Sequence, residues 1–218
     1  MLTLYRITRR HPVYFLAFVF FIIIASVTIC FDNKIDCFIK LNPLHEQWLD
    51  VFFIGVTWLG DGLFSLVAAV LVVLFWRDYR LTLHIVIAYL LSGLVAQVMK
   101  KLWAAPRPRA IIEPALYKNF LSGISGVGHN SFPSGHTTTA FALATILALH
   151  ASNKAWGLFF LFLAVLVGYS RIYLGQHFLP DVTMGALLGT VTALFVYGFI
   201  NINLRKRTAG ETSVVAGN

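Results

Sequence analysis

The chain has 218 residues, of which 58% are hydrophobic and 12% charged, whereas an average soluble domain has about 25% charged residues. This composition indicates a membrane protein, and the length allows one bundle of short-looped helices but no separate soluble domain. The formal charge is +8, but Lys and Arg stand at the ends of apolar segments and form no long basic run, which argues against nucleic-acid binding.

Six segments are long and apolar enough, or nearly so, to cross a membrane, which takes about 20 residues. They cover residues 12–31, 62–76, 81–99, 137–153, 155–170 and 182–204. No small-x-small cleavage site follows the first segment, so we expect an uncleaved span rather than a signal peptide. The uncharged stretch 51–60 is a candidate extension of the second span, and the longer stretch 44–60, which mixes aromatic and polar residues, is a candidate interfacial segment. The sequence therefore predicts an all-α integral membrane protein with a bundle of six transmembrane helices at 1–204 and a short, disordered cytoplasmic tail at 205–218.

The distribution of basic residues predicts the orientation of the chain. Six crossings place both termini on one side, and that side carries most of the cations that flank the spans: Arg6, Arg9, Arg10, Arg77, Arg80, Lys154, Arg205, Lys206 and Arg207. The positive-inside rule assigns this side to the cytoplasm. Two external segments, 100–134 and 171–181, are nevertheless basic, and this exception needs a reason.

The external segments contain three groups of polar residues, each next to a predicted span. Lys100 is followed after six residues by Arg107 and Pro108. The second group is the run from Pro133 to His136, and the third is Ser170-Arg171, five residues, His177, three residues and Asp181. All three lie at one depth on one side of the membrane, so we expect them to converge.

These residues suit a transferring phosphoryl group, whose negative charge needs fixed cations and backbone donors. Lys100, Arg107 and Arg171 supply the cations. Ser134 is placed to cap the helix that follows, so the free amides there form an anion site that Gly135 lets a phosphate approach closely.

Two histidines complete the predicted site. Asp181 lies four residues after His177, so its carboxylate can reach the imidazole Nδ1–H and leave Nε2 free to attack phosphorus. His136 is then left to protonate the leaving oxygen as a general acid.

The three groups match, residue for residue, the signature of the type 2 phosphatidic acid phosphatase superfamily, which the chain resembles over residues 100–181. This resemblance implies the same roles for His177, Asp181 and His136. Membrane members of this compact size act on undecaprenyl pyrophosphate, phosphatidylglycerophosphate or related lipid phosphates. Together with the predicted orientation, the resemblance predicts a lipid phosphatase of the bacterial inner membrane that forms a phosphohistidine at the external face. Because the three cations and the helix amides already balance the phosphate charge, we expect no metal or cofactor.

Several alternatives stay open at this stage. Within enzymes, a lipid A head-group phosphatase or phosphotransferase is the second choice; outside them, a transporter with an anion-binding loop is the main rival. Both histidines and Asp181 form a weaker candidate metal site. Cys30 and Cys37 have no metal-type spacing, but a single disulfide between them is not excluded. The lipid head group and the oligomeric state are undetermined.

Other polar and small residues have simpler interpretations. Lys101 and Arg109 are expected to be ordinary juxtamembrane cations, and His84 and Gln97 to be packing residues within the third span. His129 and Asn130 are candidates for the pocket lining. Gly185 and Gly189 predict close packing of the last span against a neighbouring helix.

Overall fold

The computed structural model describes the backbone of residues 2–215 and the side chains of residue 5 and residues 7–202. This part of the chain contains helices and connecting loops but no strand, which confirms the predicted all-α class. The helices are α1 (Leu2–Arg10), α2 (Pro12–Phe31), α3 (Lys34–Leu41), α4 (Gln47–Thr57), α5 (Gly62–Leu71), α6 (Tyr79–Trp103), α7 (Pro108–Ile111), α8 (Gly135–His150), α9 (Lys154–Tyr173) and α10 (Leu179–Val215). The predicted tail from residue 205 falls on residues whose side chains lie outside the described part, so its disorder and the division at 204 stay predictions.

Four helical stretches of the described chain are long and apolar enough to cross a membrane: Pro12–Phe31, Tyr79–Ile111, Lys154–Tyr173 and Leu179–Ile202. A fifth is added if Gln47–Gly60 and Gly62–Trp76, which meet at an angle of 63°, count as one broken span. Helix α8 has 16 residues, or about 24 Å, which is less than the hydrocarbon thickness of about 30 Å. The chain is therefore a membrane protein with four or five such stretches, and the count of six spans stays a prediction.

Helix α8 lies at the centre of the bundle, where α6, α9 and α10 pack around it. Nearly all of its side chains are buried, so it has no lipid-facing side. A Cβ added at Gly185 would lie 2.7 Å from the carbonyl oxygen of Ser134, and one at Gly189 would lie 2.3 Å from that of Thr138. The two glycines thus let α10 touch the α8 backbone, which confirms the predicted packing.

The bend between α4 and α5 is pressed against the same central helix. A Cβ at Gly60 would lie 2.8 Å from the carbonyl oxygen of His136 and 2.6 Å from Cγ1 of Val167. On the other side of the bend, a Cβ at Gly62 would lie 2.3 Å from the hydroxyl oxygen of Tyr89. The bend is therefore fixed in position beside the start of α8.

The two ends of α8 have different surroundings. Its last residue, His150, lies near the charge of Arg80, and His11 lies near Lys154 and His150. Its first residues face the predicted motif residues instead. The basic turns and the predicted site thus occupy opposite ends of the bundle.

The two cysteines lie at the same end as the predicted site but differ in environment. Both are free; Cys37 is buried against the packed loops, whereas Cys30 is exposed.

Candidate active site

The three sequence motifs meet at the first turn of α8. The backbone N–H of Ser134 donates to the carbonyl oxygen of Asp181 at 3.0 Å, which ties the start of α8 to the start of α10. The Lys100 ammonium, on the last turn of α6, lies 3.7 Å from the position that a Cβ on Gly135 would take. Charges on the motifs also lie near enough to interact, so the structure brings together all eight predicted site residues: Lys100, Arg107, Ser134, Gly135, His136, Arg171, His177 and Asp181.

Asp181 faces the ring of His177 on the side of Nδ1. Its Oδ2 lies 3.5 Å from that nitrogen and also accepts hydrogen bonds from the Ser131 hydroxyl at 2.5 Å and the Phe178 N–H at 2.9 Å. Phe178 immediately precedes α10 and Asp181 is the third residue of that helix, so the carboxylate reaches back to the capping N–H as in one half of a capping box. Local helix geometry thus orients the carboxylate toward the histidine.

His177 is almost completely buried, with 2% of its surface exposed. Burial lowers the pKa of its imidazole from 6.5 to about 4; Arg171 and Arg107 also lower this pKa, and the contact with Asp181 opposes the shift. The ring is therefore neutral at pH 7. With Nδ1 facing Asp181, the lone pair is expected on Nε2.

Ser134 is the N-cap of α8, as the sequence predicts. Its side-chain oxygen accepts hydrogen bonds from the Thr137 hydroxyl at 2.8 Å and the Thr137 N–H at 3.4 Å. Because the first turn of a helix has N–H groups without helical partners, the amides of Gly135 and His136 are available to an anion.

Arg171 is the most buried of the three cations, with 8% of its surface exposed. Its Nη1 donates to the Thr57 hydroxyl at 2.6 Å, whereas its buried Nε has no hydrogen-bond partner among the described residues. A buried guanidinium N–H is costly to leave unpaired, and a phosphate oxygen would satisfy it.

Arg107 is held by the loop that precedes α8. Its Nη1 donates to the side-chain oxygen of Gln176, and its backbone N–H donates to the carbonyl oxygen of Gly128 at 3.0 Å. A Cβ at Gly126 would lie 2.8 Å from Nη1, so the loop passes directly over the guanidinium. These contacts therefore hold the Arg107 guanidinium in one orientation without a bound ligand.

Four other polar residues of this region are exposed to solvent. Arg109 donates to the carbonyl oxygen of Ser125 at 3.2 Å, and Lys101 is exposed. His129 and Asn130, which the sequence suggests as pocket residues, are also exposed. Within the described side chains, no three His, Cys, Asp or Glu residues come together in a way that could hold a metal ion.

A family model described as the PAP2 superfamily matches residues 81–205. The chain belongs to the PAP2 superfamily. It is 32% identical over 171 residues to the bacitracin transport permease protein BcrC of Bacillus licheniformis, covering 76% of this chain and 80% of that protein. It is 30% identical over 197 residues to phosphatidylglycerophosphatase B of Bacillus subtilis, covering 84% and 92%. The crystal structure of Aquifex aeolicus LpxE matches with a TM-score of 0.68 at 29% identity, covering 77% of this chain and 96% of that one.

This PAP2 site also contains residues that the sequence motifs do not include. Ser131 supports Asp181, Gln176 and Thr57 hold two of the arginines, and Asp61 lies beside His136. Asp61 stands directly before an apolar run, which is the sequence signal of a helix cap but not of a contact with α8. The others carry no local signal, because each contacts a residue far away in the chain.

Proposed function

We propose that the chain is a membrane lipid phosphatase that hydrolyses a lipid phosphate or pyrophosphate, of the undecaprenyl pyrophosphate or phosphatidylglycerophosphate type, through a phosphohistidine on His177. The observation that carries the proposal is the arrangement around this ring. A neutral imidazole with Nδ1 against Asp181 stands beside Arg107 and Arg171, one of which has an unpaired buried N–H. A nucleophilic nitrogen thus lies next to the cations and the unpaired N–H that a phosphate would bind.

The reaction takes two steps in this site. Nε2 of His177 attacks phosphorus, the bond from phosphorus to the leaving oxygen breaks, and His136 gives its proton to that oxygen. Water then attacks the phosphohistidine, His136 accepts a proton from the water, and the bond from nitrogen to phosphorus breaks to release inorganic phosphate. The cations and the amides of the first α8 turn balance the charge on the equatorial oxygens in both steps.

An apolar cavity of about 150 Å³ supports a lipid as the substrate. It is lined by Leu59 and Val167, which flank the contact of Gly60 with His136, and it follows α8 from Ala140 to Leu147. This part of the helix is about 10 Å long. A hydrocarbon chain in the cavity would leave its phosphate at the start of α8.

The position of the site favours the external face of the membrane. The site lies at the end of α8 opposite His150, near which Arg80 and Lys154 gather, and the positive-inside rule places such turns in the cytoplasm. We propose that α8 is a short sixth span enclosed by its neighbours, which puts both termini in the cytoplasm of a bacterial cell.

Relatives with different names support different functions. Phosphatidylglycerophosphatase B is named for hydrolysis of a lipid phosphate, which agrees with the proposal. The permease name of the Bacillus licheniformis relative keeps transport as the second candidate. Transport needs no nucleophile, so the pair of His177 and Asp181 favours the phosphatase.

The proposal is tested by phosphate release from a panel of lipid phosphates, with protein in detergent and chelator present. We expect release from at least one polyprenyl, glycerophospholipid or lipid A phosphate, loss of release in His177→Ala, and an acid-labile phosphoenzyme in the wild type only. His129→Ala, which changes an exposed histidine, is the matched control. No release from any lipid, or release that persists in His177→Ala, would contradict the proposal; uptake of a lipid phosphate by vesicles without hydrolysis would favour transport.

The orientation is tested by single cysteines in a background in which Cys30 and Cys37 are replaced by alanine. Asn130→Cys should react with a membrane-impermeant thiol reagent added outside intact cells, and Lys154→Cys should react only after the cells are opened. The reverse pattern would place the site in the cytoplasm.

A further inference from the structure

Asp61 lies beside His136 although the two residues are far apart in the chain. Its Oδ2 is 3.8 Å from Nε2 of His136, and its Oδ1 accepts a hydrogen bond from the Leu63 N–H at 2.8 Å. Asp61 is the N-cap of α5, so one carboxylate oxygen is fixed by the helix start and the other faces the histidine. Both side chains are about one third exposed, at 38% and 33%, so the pair borders the opening of the site.

The backbone on both sides of Asp61 holds this carboxylate beside the start of α8. Gly60 contacts the carbonyl oxygen of His136 itself, and Gly62 leaves no room for a Cβ beside Tyr89. Gly60 and Gly62 are both packed tightly against their neighbours, so Asp61 between them has little freedom to move away from His136. The bend between α4 and α5 therefore keeps Asp61 close to His136.

The charges around His136 explain why a carboxylate is needed there. Burial lowers the pKa of the His136 imidazole from 6.5 to about 3. Arg171 from α9, His177 from the loop before α10 and Lys100 from α6 lower this pKa further, and Asp61 at the start of α5 opposes the shift. The cations that bind phosphate also repel a protonated imidazole. Asp61 is therefore the charged neighbour that favours the protonated form of this ring.

We propose that Asp61 is a positioning residue that holds the His136 imidazole and balances its positive charge while it donates its proton to the leaving oxygen. In the proposed reaction the proton passes only between His136, the leaving oxygen and water. The inference rests on the proposed function, because it assigns a partner to the proposed general acid.

The test compares Asp61→Asn with His136→Ala and with the double variant. Asparagine caps helices as well as aspartate does, so the fold should be retained and only the charge lost. The matched control is Asp78→Asn, because Asp78 caps α6 in the same way, accepting the Leu81 N–H at 2.9 Å, at the opposite end of the bundle. An unchanged midpoint of thermal unfolding confirms that each variant is folded.

Three measurements separate positioning from capping. Asp61→Asn should lower kcat about 10- to 100-fold for a lipid phosphate with an alkoxide leaving group but less than about threefold for an aryl phosphate with an acidic phenol. In the double variant it should add less than about twofold to the loss caused by His136→Ala. The alkaline limb of kcat/KM should move by about one pH unit toward lower pH, because the ring loses its proton more easily without the carboxylate.

The outcomes distinguish this inference from the function on which it depends. Equal losses on both substrates, or losses that add to that of His136→Ala, would show that Asp61 acts on the fold or on Arg171 and would overturn the inference alone. If His136→Ala itself leaves hydrolysis of both substrates unaffected, the general acid is wrongly assigned and the inference fails, whereas the proposed function fails only if no lipid phosphate is hydrolysed or if phosphate release persists in His177→Ala.

Discussion

Removal of the Ser131 hydroxyl tests whether the support of Asp181 matters to the nucleophile. Ser131 is fully buried, and its hydroxyl donates to Oδ2 of Asp181 at 2.5 Å and lies 3.4 Å from Nδ1 of His177. In Ser131→Ala the carboxylate keeps the Phe178 N–H but loses this donor, so it is free to turn away from the histidine.

The magnitude follows from the burial of the pair. A hydrogen bond to a charged group contributes about 1.5–3 kcal/mol, and each 1.4 kcal/mol corresponds to about tenfold in rate. Asp181 is only 5% exposed, so water cannot readily replace the lost donor. We expect kcat to fall about 10- to 100-fold with little change in KM, because the phosphate contacts are untouched.

The assay is phosphate release at saturating lipid phosphate, together with rapid-quench measurement of phosphohistidine formation. Ser92→Ala is the control, since Ser92 is a buried serine whose hydroxyl donates only to its own helix, at the carbonyl oxygen of Tyr89. A Ser131→Ala enzyme whose rate stays within about twofold of wild type, or whose loss lies wholly in KM, would refute the reasoning.

Three further predictions concern the phosphate site, the packing and the titration of the nucleophile. Arg171→Lys should lower kcat/KM for phosphate release about 10- to 100-fold, because lysine lacks the planar fork. Gly189→Ala should lower the free energy of unfolding by about 1–3 kcal/mol in thermal denaturation, because the new Cβ would clash with the Thr138 carbonyl oxygen. Gly93→Ala is the control, because a Cβ there has no neighbour within 4 Å and should not lower the free energy of unfolding. The pKa of His177 falls from 6.5 to about 4 on folding, so the unfolded chain binds more protons than the folded chain between about pH 4 and pH 6.5. The free energy of unfolding therefore rises with pH across this range. His177→Gln should flatten that part of a plot of unfolding midpoint against pH.

The parts of the site that depend on neighbours in the sequence could be predicted from the sequence. The N-cap of Ser134 and the approach of Asp181 to His177 each depend on a few residues of one helix start, so spacing determines them. The convergence of the three motifs follows from their positions at the ends of spans. These features need no knowledge of which helices are neighbours.

Contacts between distant segments could not be predicted in this way. The approach of Asp61 to His136 depends on a bend that presses Gly60 against α8, and the hydrogen bond from Arg107 to Gln176 joins two separate motifs across a loop. Hydropathy also cannot tell a bent pair from one straight span, since both halves are apolar. The number of spans is therefore the least certain part of a prediction from sequence.

The shortness of α8 links the fold to the proposed chemistry. Its neighbours continue for two or three residues beyond their site residues, α6 from Lys100 to Trp103 and α9 from Arg171 to Tyr173, and α8 begins among them. Buried threonines such as Thr145, whose hydroxyl donates to the Phe141 carbonyl at 2.7 Å, make α8 a helix that is better suited to protein than to lipid. An enclosed helix start has unpaired amides in a medium of low dielectric, where they attract a phosphate more strongly than at an exposed surface. The feature that makes α8 a poor membrane span by length thus makes it a good phosphate site.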